Sequence, residues 1–506
     1  MPNFASVFLM KIAATEPTHS WAKKWLGVQK KHFVGGSWQD GGKDQHAVVN
    51  PTDGSVLAKV PNADKDVVDR AVAGARSAFP SYAQLTRAKR AGMLREIGSV
   101  IRKHATELAT LESLQNGMLW SESLVGCLPD SADIFDYFAG WTDKYYGKTV
   151  PVDPGFVNYT LREPVGVCGA IVPWNFPLLL AMWKIAPALA MGNTVVVKPA
   201  EATPLSLIRA IELIGEHVDL PKGVLNLVLG NGETGAAMGS HPGIDKLSFT
   251  GSTAVGKSLV RGSGDSNLKG LTLELGGNSA NIIFEDVPDL QAAIDRSFAL
   301  TFSSKGEKCS EPTRLIVHES HYDNVISEMA KKADAVVCGN PFDIKSMQGP
   351  QCTEAHMNRV LDYIKIGIEE GAKVEAGGFR DEEGANAKGF FIRPTVLSGV
   401  DIKSRIAQEE VFGPVLTVHK FRDEDDAIRQ ANDTVYGLAA GLWTKDVSQA
   451  HRVAARLEAG MVFVNQYGCY DFASPFGGVK QSGWGKEMGE HVLSAYTQEK
   501  SIWIKV

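Results

Sequence analysis

The sequence has 506 residues, of which 44% are hydrophobic and 22% charged, and its formal net charge is −6. This composition is typical of a soluble globular protein with a large core, and the length predicts about three domains. The small net charge excludes a strongly basic footprint, so we expect neither a nucleic acid nor a membrane as partner. The six cysteines are too sparse for a disulfide scaffold, and no C-x-x-C pair among them suggests a zinc site. This pattern favours reduced thiols in the cytoplasm.

The first 30 residues predict an N-terminal arm that is loosely held. Their apolar run is short and no basic residue precedes it, which disfavours a secretory signal. The first arginine is Arg70, which disfavours an arginine-rich transit peptide. No run of about 18 apolar residues occurs, so we predict no transmembrane helix.

Helical periodicity follows in three stretches, at residues 64–79, 86–117 and 130–146. The third stretch carries a cluster of aromatic residues, which we interpret as core packing because aromatic side chains dominate buried area. Residues 150–162 are rich in β-forming residues, and we expect the last residues, 501–506, to pair with them. An exposed strand edge needs a cover, and a partner subunit would supply one.

From residue 165, short apolar strands alternate with helices, which predicts a parallel, doubly wound sheet. The predicted strands are residues 165–172, 194–198, 224–229, 246–249 and 271–275, and the predicted helices are residues 177–191, 204–217 and 253–262. Ligands bind at the carboxyl ends of such strands. Asn175, Lys198, Glu201, Ser252 and Glu274 lie at or just after these ends.

A second α/β unit is predicted from about residue 277 to residue 481. Its strands include residues 314–317 and 461–464, and its helices include residues 321–337 and 353–370. No internal repeat or low-complexity tract stands out.

A glycine motif, Gly230-x-Gly232-x-x-Gly235, follows a predicted strand and has the spacing of a dinucleotide-binding fingerprint. That fingerprint also needs an acidic residue about 20 positions further on, which binds the adenosine ribose. Residues 252–256 are Ser, Thr, Ala, Val and Gly, so the carboxylate is missing there. We therefore disfavour the ordinary Rossmann interpretation and expect Glu201 to bind the ribose.

Three motifs supply the side chains that acyl transfer through a thiol requires. They are residues 302–309 with Cys309, residues 273–277 with Glu274, and residues 173–177 with Asn175. A sulfur attacks, an amide holds the oxyanion and a carboxylate activates water. Taken singly, Cys309 could be an inert buried thiol, Asn175 a turn residue and Glu274 a charge at a strand end. None of these single interpretations explains all three motifs at once.

These motifs resemble those of the aldehyde dehydrogenase superfamily, whose cysteine pattern is an aromatic residue, three residues, Gly, Gln or Glu, any residue and Cys. Here Phe302, Gly306, Glu307 and Cys309 fill that pattern. Further matches run over nearly the whole chain and include residues 198–201, 249–253, 410–414 and 475–478. Within the family, the sequence is most similar to the tetrameric class 1/2-like enzymes, which include broad-specificity and retinal-type dehydrogenases.

The resemblance implies NAD-dependent oxidation of an aldehyde to the carboxylic acid through a thiohemiacetal and a thioester on Cys309. Asn175 and the Cys309 N–H would hold the oxyanion, and Glu274 would activate water. The implied cofactor site consists of Val172, Pro173, Trp174, Lys198, Glu201, Gly232, Gly235, Thr250, Gly251, Ser252, Val255, Leu275, Gly276, Glu410 and Phe412. In this site Glu201 would repel a 2′-phosphate, so we predict NAD over NADP.

The resemblance also implies a substrate funnel. Its lining residues would be Phe176, Leu180, Trp183, Ser303, Tyr470 and Phe476. Aromatic and aliphatic walls favour an apolar aldehyde, aliphatic or aromatic. Asp471 and Tyr470 could instead attract a cationic aminoaldehyde, as in a betaine aldehyde dehydrogenase.

Three other functions stay open as alternatives. A CoA-acylating relative lacks the water-activating glutamate, which is present here as Glu274. A structural protein of this fold, such as a lens crystallin, does not require Cys309, Glu274 and Asn175 to be intact. A Cys-His hydrolase needs a histidine oriented toward Cys309, and none of the 12 histidines lies in a matching motif.

The implied fold is the α/β aldehyde dehydrogenase fold, with a Rossmann-like doubly wound parallel sheet, a second α/β catalytic domain and a β oligomerisation arm. The implied domains are an NAD-binding domain of residues 31–145 and 165–276, a catalytic domain of residues 277–481, and an oligomerisation domain of residues 146–164 and 490–506. We expect a homo-oligomer, a tetramer rather than a dimer.

The cysteine motif departs from the commoner family pattern in two places, because Ser304 and Glu307 stand where Asn and Gln are usual. A carboxylate at Glu307 would raise the pKa of Cys309 if it pointed inward, and Lys308 would offset that effect. Cys309 lies 35 positions after Glu274, about one more than in close relatives. We place the extra residue near residues 301–303, which makes the funnel role of Ser303 uncertain.

Overall fold

The computed structural model describes residues 16–42 and 44–506. Half of the predicted N-terminal arm, residues 1–15, lies outside the described residues. The other half contains the helix His19–Leu26. Among the described residues, no helix is both long enough and apolar enough to cross a bilayer.

Eight of the described strands form the first sheet. Their order across the sheet is Gly483–Trp484, Gly270–Glu274, Lys246–Thr250, Val167–Ile171, Thr194–Lys198, Leu225–Leu227, His32–Val34 and Ser37–Gln39. The five strands from Gly270–Glu274 to Leu225–Leu227 are parallel, and each of the three outer strands pairs antiparallel with its inner neighbour. The chain order reverses between Val167–Ile171 and Lys246–Thr250, which is where sheets of this kind bind ligands. The predicted parallel, doubly wound sheet is confirmed.

Seven described strands form the second sheet. Their order is Lys373–Ala376, Thr395–Ser398, Val415–Phe421, Arg314–His318, Ala280–Ile283, Ala439–Trp443 and Met461–Val464. All neighbours pair in parallel except Lys373–Ala376 at one edge. The short strand Gly483–Trp484 follows these strands in the chain but returns to the first sheet, where it pairs with Leu273 and Glu274.

A third sheet, which we call the arm, has three strands. Thr497–Lys505 pairs antiparallel with Phe156–Pro164, which also pairs with Thr149–Val150. The predicted pairing of the C-terminus with residues 150–162 is therefore confirmed. A separate hairpin joins the strands Gln45–Val49 and Val56–Pro61.

The α-helices connect these strands. Their bounds are His19–Leu26, Lys65–Ala83, Arg87–Lys103, Ala105–Asn116, Trp120–Glu122, Leu128–Ala139, Pro177–Ala190, Leu205–His217, Gly232–Ser240, Thr253–Gly264, Leu290–Phe302, Tyr322–Asp334, Glu354–Glu369, Arg405–Gln408, Glu424–Asn432 and Val447–Arg456. The helix predicted over residues 130–146 ends at Ala139. Gly140 follows it, a residue with low helix propensity, and its N–H closes the last turn on Asp136 and Tyr137.

The core lies on both faces of the first sheet. Along Thr194–Lys198, Val195 and Val197 pack into one apolar cluster while Val196 packs into another, as the period-2 geometry of a strand requires. The helix Pro177–Ala190 is buried along its whole length, which is typical of a helix enclosed on all sides. This helix anchors the chain segment just before it, the segment that contains Asn175.

Candidate active site

The parallel strands of the first sheet end at one edge, and the predicted site residues lie there. Lys198, Thr250 and Glu274 are the last residues of three strands, and Asn175 lies just beyond a fourth. Thr250 and Glu274 are directly paired in neighbouring strands. Because parallel strands run in one direction, their register alone brings these side chains to a common edge.

Cys309 reaches this edge from the second α/β unit, on residues 303–309, which we call the cysteine loop. The helix Leu290–Phe302 ends directly before the loop. A Cβ atom on Gly277 would lie 2.0 Å from the Cys309 carbonyl oxygen, so this close approach requires glycine. The cysteine loop therefore packs against the chain that leaves Glu274.

A cavity of about 270 Å³, which we call the site cavity, has Cys309, Glu274 and Asn175 in its wall. Its volume is close to the lower limit of about 300 Å³ for small-molecule sites. The structure thus brings together three residues that are far apart in the sequence and that were predicted to act together.

Asn175 is buried, and its side chain is oriented by the cysteine loop. Its Nδ2 atom donates a hydrogen bond to the Glu307 carbonyl oxygen at 2.9 Å. A side-chain amide carries two N–H donors, so a second one remains for a ligand. A buried amide donor held in this way suits the stabilisation of an oxyanion.

Glu274 is 3% exposed and is the candidate base. Burial raises the pKa of this carboxyl well above its usual range, and the Glu487 carboxylate raises it further, while Lys184 and Lys486 oppose the rise. Within the part of the chain that the structure describes, Oε2 of Glu274 has no hydrogen-bond partner. A carboxylate with a raised pKa and a free oxygen is suited to accept a proton.

Cys309 is partly exposed, and it lines the site cavity. Burial raises the pKa of its thiol, and the carboxylates of Glu410 and Glu274 raise it further. A raised pKa favours the protonated thiol over the thiolate. Since the thiolate is the nucleophilic form, a base must remove this proton before the sulfur can attack.

A buried ion pair near Glu274 was not identified from the sequence. Lys184 Nζ lies 2.5 Å from Glu487 Oε1, and the two side chains are 1% and 2% exposed. Glu487 also lines the site cavity. Lys184 is the one charged residue in the buried helix Pro177–Ala190, and a buried charge needs a partner, so its place in the sequence was an available signal.

Lys198 and Glu201 lie together at the end of one strand. Lys198 Nζ is 3.8 Å from Glu201 Oε2, and the Glu201 side chain is 55% exposed. Burial lowers the pKa of Lys198, and Glu201 opposes this effect. Gly235 of the glycine motif lies beside the Lys198 side chain. A Cβ atom on Gly235 would lie 3.9 Å from that side chain. An accessible carboxylate beside a buried lysine suits the two hydroxyls of a ribose.

Ser252 caps the helix Thr253–Gly264, because its Oγ accepts a hydrogen bond from Val255 N at 3.4 Å. The Gly251 N–H donates to the Glu274 carbonyl oxygen at 3.0 Å. A helix start presents free N–H groups and a partial positive charge, which suit a phosphate group. The start of this helix therefore lies beside the strand that carries Glu274.

Glu410 and Phe412 come from the second α/β unit and contact the chain segments that contain Glu274 and Asn175. Glu410 Oε1 accepts a hydrogen bond from Gly277 N at 2.8 Å, and burial raises the pKa of Glu410 to about 7. A Cβ on Gly276 would lie 2.4 Å from Glu410 Oε2, so the carboxylate requires a glycine there. The Phe412 ring packs edge-on against Trp174, with ring centroids 5.3 Å apart.

The remaining predicted cofactor residues lie along the same edge. Val172 N donates a hydrogen bond to the Lys198 carbonyl oxygen at 3.0 Å, and Pro173 follows it. Leu275 is buried in the core cluster beneath the sheet. Gly232 of the glycine motif is the first residue of the helix Gly232–Ser240.

Most of the predicted funnel residues line the site cavity. They are Phe176, Leu180, Trp183, Tyr470 and Phe476. The structure does not place Ser303 among the described residues of that wall, and Leu300 and Lys308 line it instead. Ser303 Oγ donates a hydrogen bond to the Leu300 carbonyl oxygen at 3.1 Å, which turns the hydroxyl back onto the end of the preceding helix.

The site cavity also has polar wall residues that were not identified from the sequence. Glu122, Asp130 and Glu311 line it together with Lys308. Burial raises the pKa of Glu311 well above its usual range, and Lys308 opposes that rise. Glu122 and Asp130 are far from the cysteine motif in the chain, so no local pattern connects them to it.

The Glu307 carboxylate is held by partners other than the Cys309 thiol. Its Oε1 atom accepts a hydrogen bond from Cys352 N at 2.9 Å. Its Oε2 atom lies 2.7 Å from Lys305 Nζ, so Lys305 rather than Lys308 is its counterion. The Glu307 side chain is not among the described residues that line the site cavity, and its counterion is Lys305.

Comparisons with known proteins agree on one family. The sequence model of the aldehyde dehydrogenase family matches residues 38–502. The chain is 45% identical to aldehyde dehydrogenase 1A1 of Equus caballus over 482 residues, which covers 94% of this chain and 95% of the relative.

Solved structures give the same result. The structure of aldehyde dehydrogenase from Bacillus cereus in complex with NAD+ has a TM-score of 0.93 at 42% identity, and the match covers 96% of this chain and 98% of that chain. Betaine aldehyde dehydrogenase from Staphylococcus aureus in complex with NAD+ has a TM-score of 0.92 at 38% identity, with 95% of each chain covered. The chain therefore belongs to the aldehyde dehydrogenase family and is an enzyme of that class.

Proposed function

We propose that this enzyme oxidises an apolar aldehyde, aliphatic or aromatic, to the carboxylic acid with NAD as electron acceptor. The observation that carries the proposal is that Cys309, Asn175 and Glu274 share the wall of one cavity of about 270 Å³. A nucleophile, an oxyanion donor and a base are the three groups that this oxidation requires.

In the first half of the reaction, Glu274 is the base that is positioned in the same cavity wall to take the proton of the Cys309 thiol. The sulfur then attacks the carbonyl carbon of the aldehyde, and a thiohemiacetal forms. The free Nδ2 hydrogen of Asn175 and the Cys309 N–H hold the oxyanion. One donor of this kind contributes about 2.7–4 kcal/mol to the stabilisation of the transition state.

Bound NAD would supply the hydride acceptor for the former aldehyde carbon, and Cys309 would retain the acyl group as a thioester. Once the proton taken from the thiol has passed from Glu274 to solvent, the Glu274 carboxylate takes a proton from water in the second half of the reaction. The water oxygen attacks the thioester carbonyl carbon, the carbon–sulfur bond breaks, and the carboxylic acid leaves. A carboxylate whose pKa is raised by burial is a stronger base than an exposed one, which suits this role.

The cofactor proposal rests on the residues at the carboxyl edge of the first sheet. Glu201 and Lys198 would hold the adenosine ribose, the helix start at Ser252 would meet the pyrophosphate, and Glu410 and Phe412 would position the nicotinamide half. The exposed Glu201 carboxylate would repel a 2′-phosphate, which favours NAD over NADP. The relatives from Bacillus cereus and Staphylococcus aureus have structures with NAD+.

On this basis we assign cofactor binding to a domain of residues 31–145 and 165–276, and the nucleophile to a catalytic domain of residues 277–481.

The substrate proposal rests on the walls of the site cavity. Five of its lining residues are the aromatic or aliphatic residues predicted for the funnel, and Trp183 and Phe476 pack edge-to-face with centroids 5.2 Å apart. Such walls favour an apolar substrate.

An aminoaldehyde is the second candidate substrate, because one side of the site cavity carries carboxyl groups. Glu122, Asp130 and Glu311 lie in the wall, and Tyr470 offers a ring face to a cation. One structural relative is a betaine aldehyde dehydrogenase. Uncharged and cationic aldehydes of equal length separate the two candidates by their kcat/KM values.

The assembly proposal is a homo-oligomer, a tetramer rather than a dimer, formed through the arm of residues 146–164 and 490–506. Phe156, Val157, Trp503 and Ile504 expose large apolar side chains there. An exposed apolar strand edge favours association with another copy.

We also propose a cytoplasmic location, for which the six free cysteines are the supporting observation.

The experiment is NADH formation with a panel of aldehydes, run on the wild type, on Cys309→Ala and on Cys338→Ala. Cys338 is a buried free cysteine in the second unit and serves as the matched control. We expect turnover to vanish in Cys309→Ala and to persist in Cys338→Ala. Turnover that survives Cys309→Ala, or a wild type that folds and binds NAD but oxidises no aldehyde, contradicts the proposal.

A further inference from the structure

The cysteine loop has an unusual backbone directly before the nucleophile. Ser304, Lys305 and Gly306 all have positive φ, at 46°, 65° and 74°. For residues other than glycine, a left-handed conformation costs roughly 1–2 kcal/mol each, so it persists only where surrounding contacts hold it. The proposed mechanism uses neither Lys305 nor the Glu307 side chain, so the contacts of these two residues need another explanation.

Lys305 is buried, and its ammonium group has close oxygen partners. Its Nζ atom donates to the Asn116 carbonyl oxygen at 2.7 Å and to Asn116 Oδ1 at 2.8 Å. It also lies 2.7 Å from Glu307 Oε2, and the Lys305 and Glu307 side chains are 2% and 1% exposed. Asn116, the last residue of a helix in the first unit, is thus bound by the loop of the second unit.

Asn116 connects Lys305 to the chain segment that precedes Asn175. Its Nδ2 atom donates to the Trp174 carbonyl oxygen at 2.7 Å. One side-chain amide therefore accepts from Lys305 with its oxygen and binds the residue before Asn175 with its nitrogen. Lys305 is thus connected to the backbone just before Asn175 through the Asn116 side chain.

Glu307 acts on the side chain of the same asparagine. Its carbonyl oxygen accepts the Asn175 Nδ2 hydrogen bond at 2.9 Å, while its carboxylate is held by Cys352 N and by Lys305. The carboxylate fixes the residue, and the carbonyl of that residue orients the amide. Lys305 and Glu307 thus control the backbone and the side chain of Asn175 from the same loop.

We propose that Lys305 and Glu307 form a buried positioning pair that holds the Asn175 amide where the oxyanion develops. This inference rests on the proposed function, in which Asn175 is the side-chain oxyanion donor. Neither residue touches the reacting atoms, so both act through Asn175. The two act as a unit, because removal of one member leaves the other as an uncompensated buried charge.

The test uses acylation of Cys309 by 4-nitrophenyl acetate, which requires no cofactor. The sulfur–acetyl bond forms, the ester carbon–oxygen bond breaks, and 4-nitrophenolate leaves after an oxyanion has developed on the carbonyl. Alkylation by iodoacetamide is the comparison reaction, because attack on a saturated carbon develops no oxyanion at the reacting carbon. Cys309→Ala subtracts the reaction of both reagents with the other cysteines.

We expect Lys305→Met to slow acylation by roughly tenfold to hundredfold, as a small misplacement of an oriented group does, and to change the alkylation rate by less than about twofold. Lys305→Met/Glu307→Gln should recover part of this loss because it removes the uncompensated carboxylate. In an Asn175→Ala background, Lys305→Met should cause no further loss, because the residue through which it acts is gone. Glu307→Gln alone, which keeps an acceptor for Cys352 N, is the milder variant if Lys305→Met does not fold.

The matched control is Lys269→Met. Lys269 is also buried, and its Nζ donates to the Gly239 carbonyl oxygen and to Ser266 Oγ, both at 2.8 Å. It precedes the amino end of the strand whose other end carries Glu274, so it lies away from the site. We expect its acylation and alkylation rates to match the wild type.

Three results overturn the inference alone: equal losses of acylation and alkylation, an unchanged acylation rate in both single variants, or a Lys305→Met loss that persists in the Asn175→Ala background. The first would mean that the pair only stabilises the loop. A burst of 4-nitrophenolate in Cys309→Ala with the same amplitude and rate as in the wild type would instead contradict the proposed function, and with it the inference. The two failures are therefore distinguishable in one set of measurements.

Discussion

Glu274 and Cys309 face the same cavity, but the protein holds them in different ways. Glu274 is the last residue of a strand that is paired on both sides, with Thr250 on one side and Gly483 on the other. Cys309 follows three residues with left-handed backbone and is held by a loop whose partners are buried polar side chains. Backbone hydrogen bonds position the base, whereas buried side chains hold the loop that leads to the nucleophile and orients Asn175.

This difference predicts which kinds of substitution impair Glu274 and which impair Cys309. A strand end tolerates changes in neighbouring side chains, because the ladder of backbone hydrogen bonds does not depend on them. A loop with strained backbone depends on each contact that compensates the strain. Mutations around Glu274 should therefore act through its own chemistry, whereas mutations around Cys309 should also act through geometry.

The largest effect is expected from Glu274→Gln, which leaves the strand unchanged and removes only the base. Hydrolysis of the acyl-enzyme should slow by roughly 10³-fold, and acylation of Cys309 by 4-nitrophenyl acetate should slow as well, because the same carboxylate takes the thiol proton. In the wild type, hydrolysis should accelerate as the pH rises through the raised pKa of Glu274, since only the carboxylate accepts a proton. The steady-state phase of 4-nitrophenolate release measures this step, and an unchanged pH profile in the Gln variant would contradict the assignment.

The second-largest effect is expected at Asn175, the proposed side-chain donor to the oxyanion. Asn175→Ala should slow acylation by roughly 10²-fold, because one oxyanion donor is lost, without a comparable loss in iodoacetamide alkylation of Cys309. Single-exponential rates with reagent in excess measure both reactions. Equal losses in the two reactions would show that Asn175 supports the thiol rather than the oxyanion.

A smaller effect, on stability, tests the strain in the cysteine loop. Gly306 has φ +74°, and a Cβ there would lie 2.2 Å from the Gly413 carbonyl, so Gly306→Ala adds a clash to the backbone cost. Gly399 has φ +63° with no atom within 4 Å of a Cβ among the described residues, so Gly399→Ala adds the backbone cost alone, about 1–2 kcal/mol. The melting temperature should fall more for Gly306→Ala, and equal shifts would mean that the loop relaxes around the new methyl group.

The smallest effect is expected at a strand-end residue far from the chemistry. Glu201→Gln removes the negative charge that we expect to face the ribose, and one surface charge pair contributes about 1 kcal/mol. The ratio of kcat/KM for NADP to that for NAD should therefore rise roughly fivefold to tenfold. Glu319→Gln, an exposed carboxylate in the second unit, is the control. A ratio that does not change would place the ribose away from Glu201.

Much of the fold follows from local patterns in the sequence. The strands Thr194–Lys198 and Met461–Val464 have the predicted bounds, because short apolar runs between turn residues leave few alternatives. Helix ends were less predictable: the stretch predicted to continue to residue 146 ends at Ala139. Helical periodicity continued past Gly140, but propensity and local hydrogen bonding ended the helix there.

The residues of the site cavity likewise divide into those that the sequence predicted and those that it did not. The motifs around Asn175, Glu274 and Cys309 indicated three residues that do line one cavity, whereas Ser303 does not line the described wall. The Ser303 hydroxyl bonds to the end of its own helix instead of facing the cavity. No pattern of residue types determines that choice.

By itself, the sequence determined the fold class, the family and the three candidate reactive residues, because periodicity and motifs are local properties of the chain. The tertiary structure alone decided which buried charges are paired, as in Lys184 with Glu487 and Lys305 with Glu307. Partners such as Lys184 and Glu487 are some 300 positions apart. A buried charge is tolerated only where the packed chain brings a counterion and hydrogen-bond partners to it, and that condition belongs to the folded molecule.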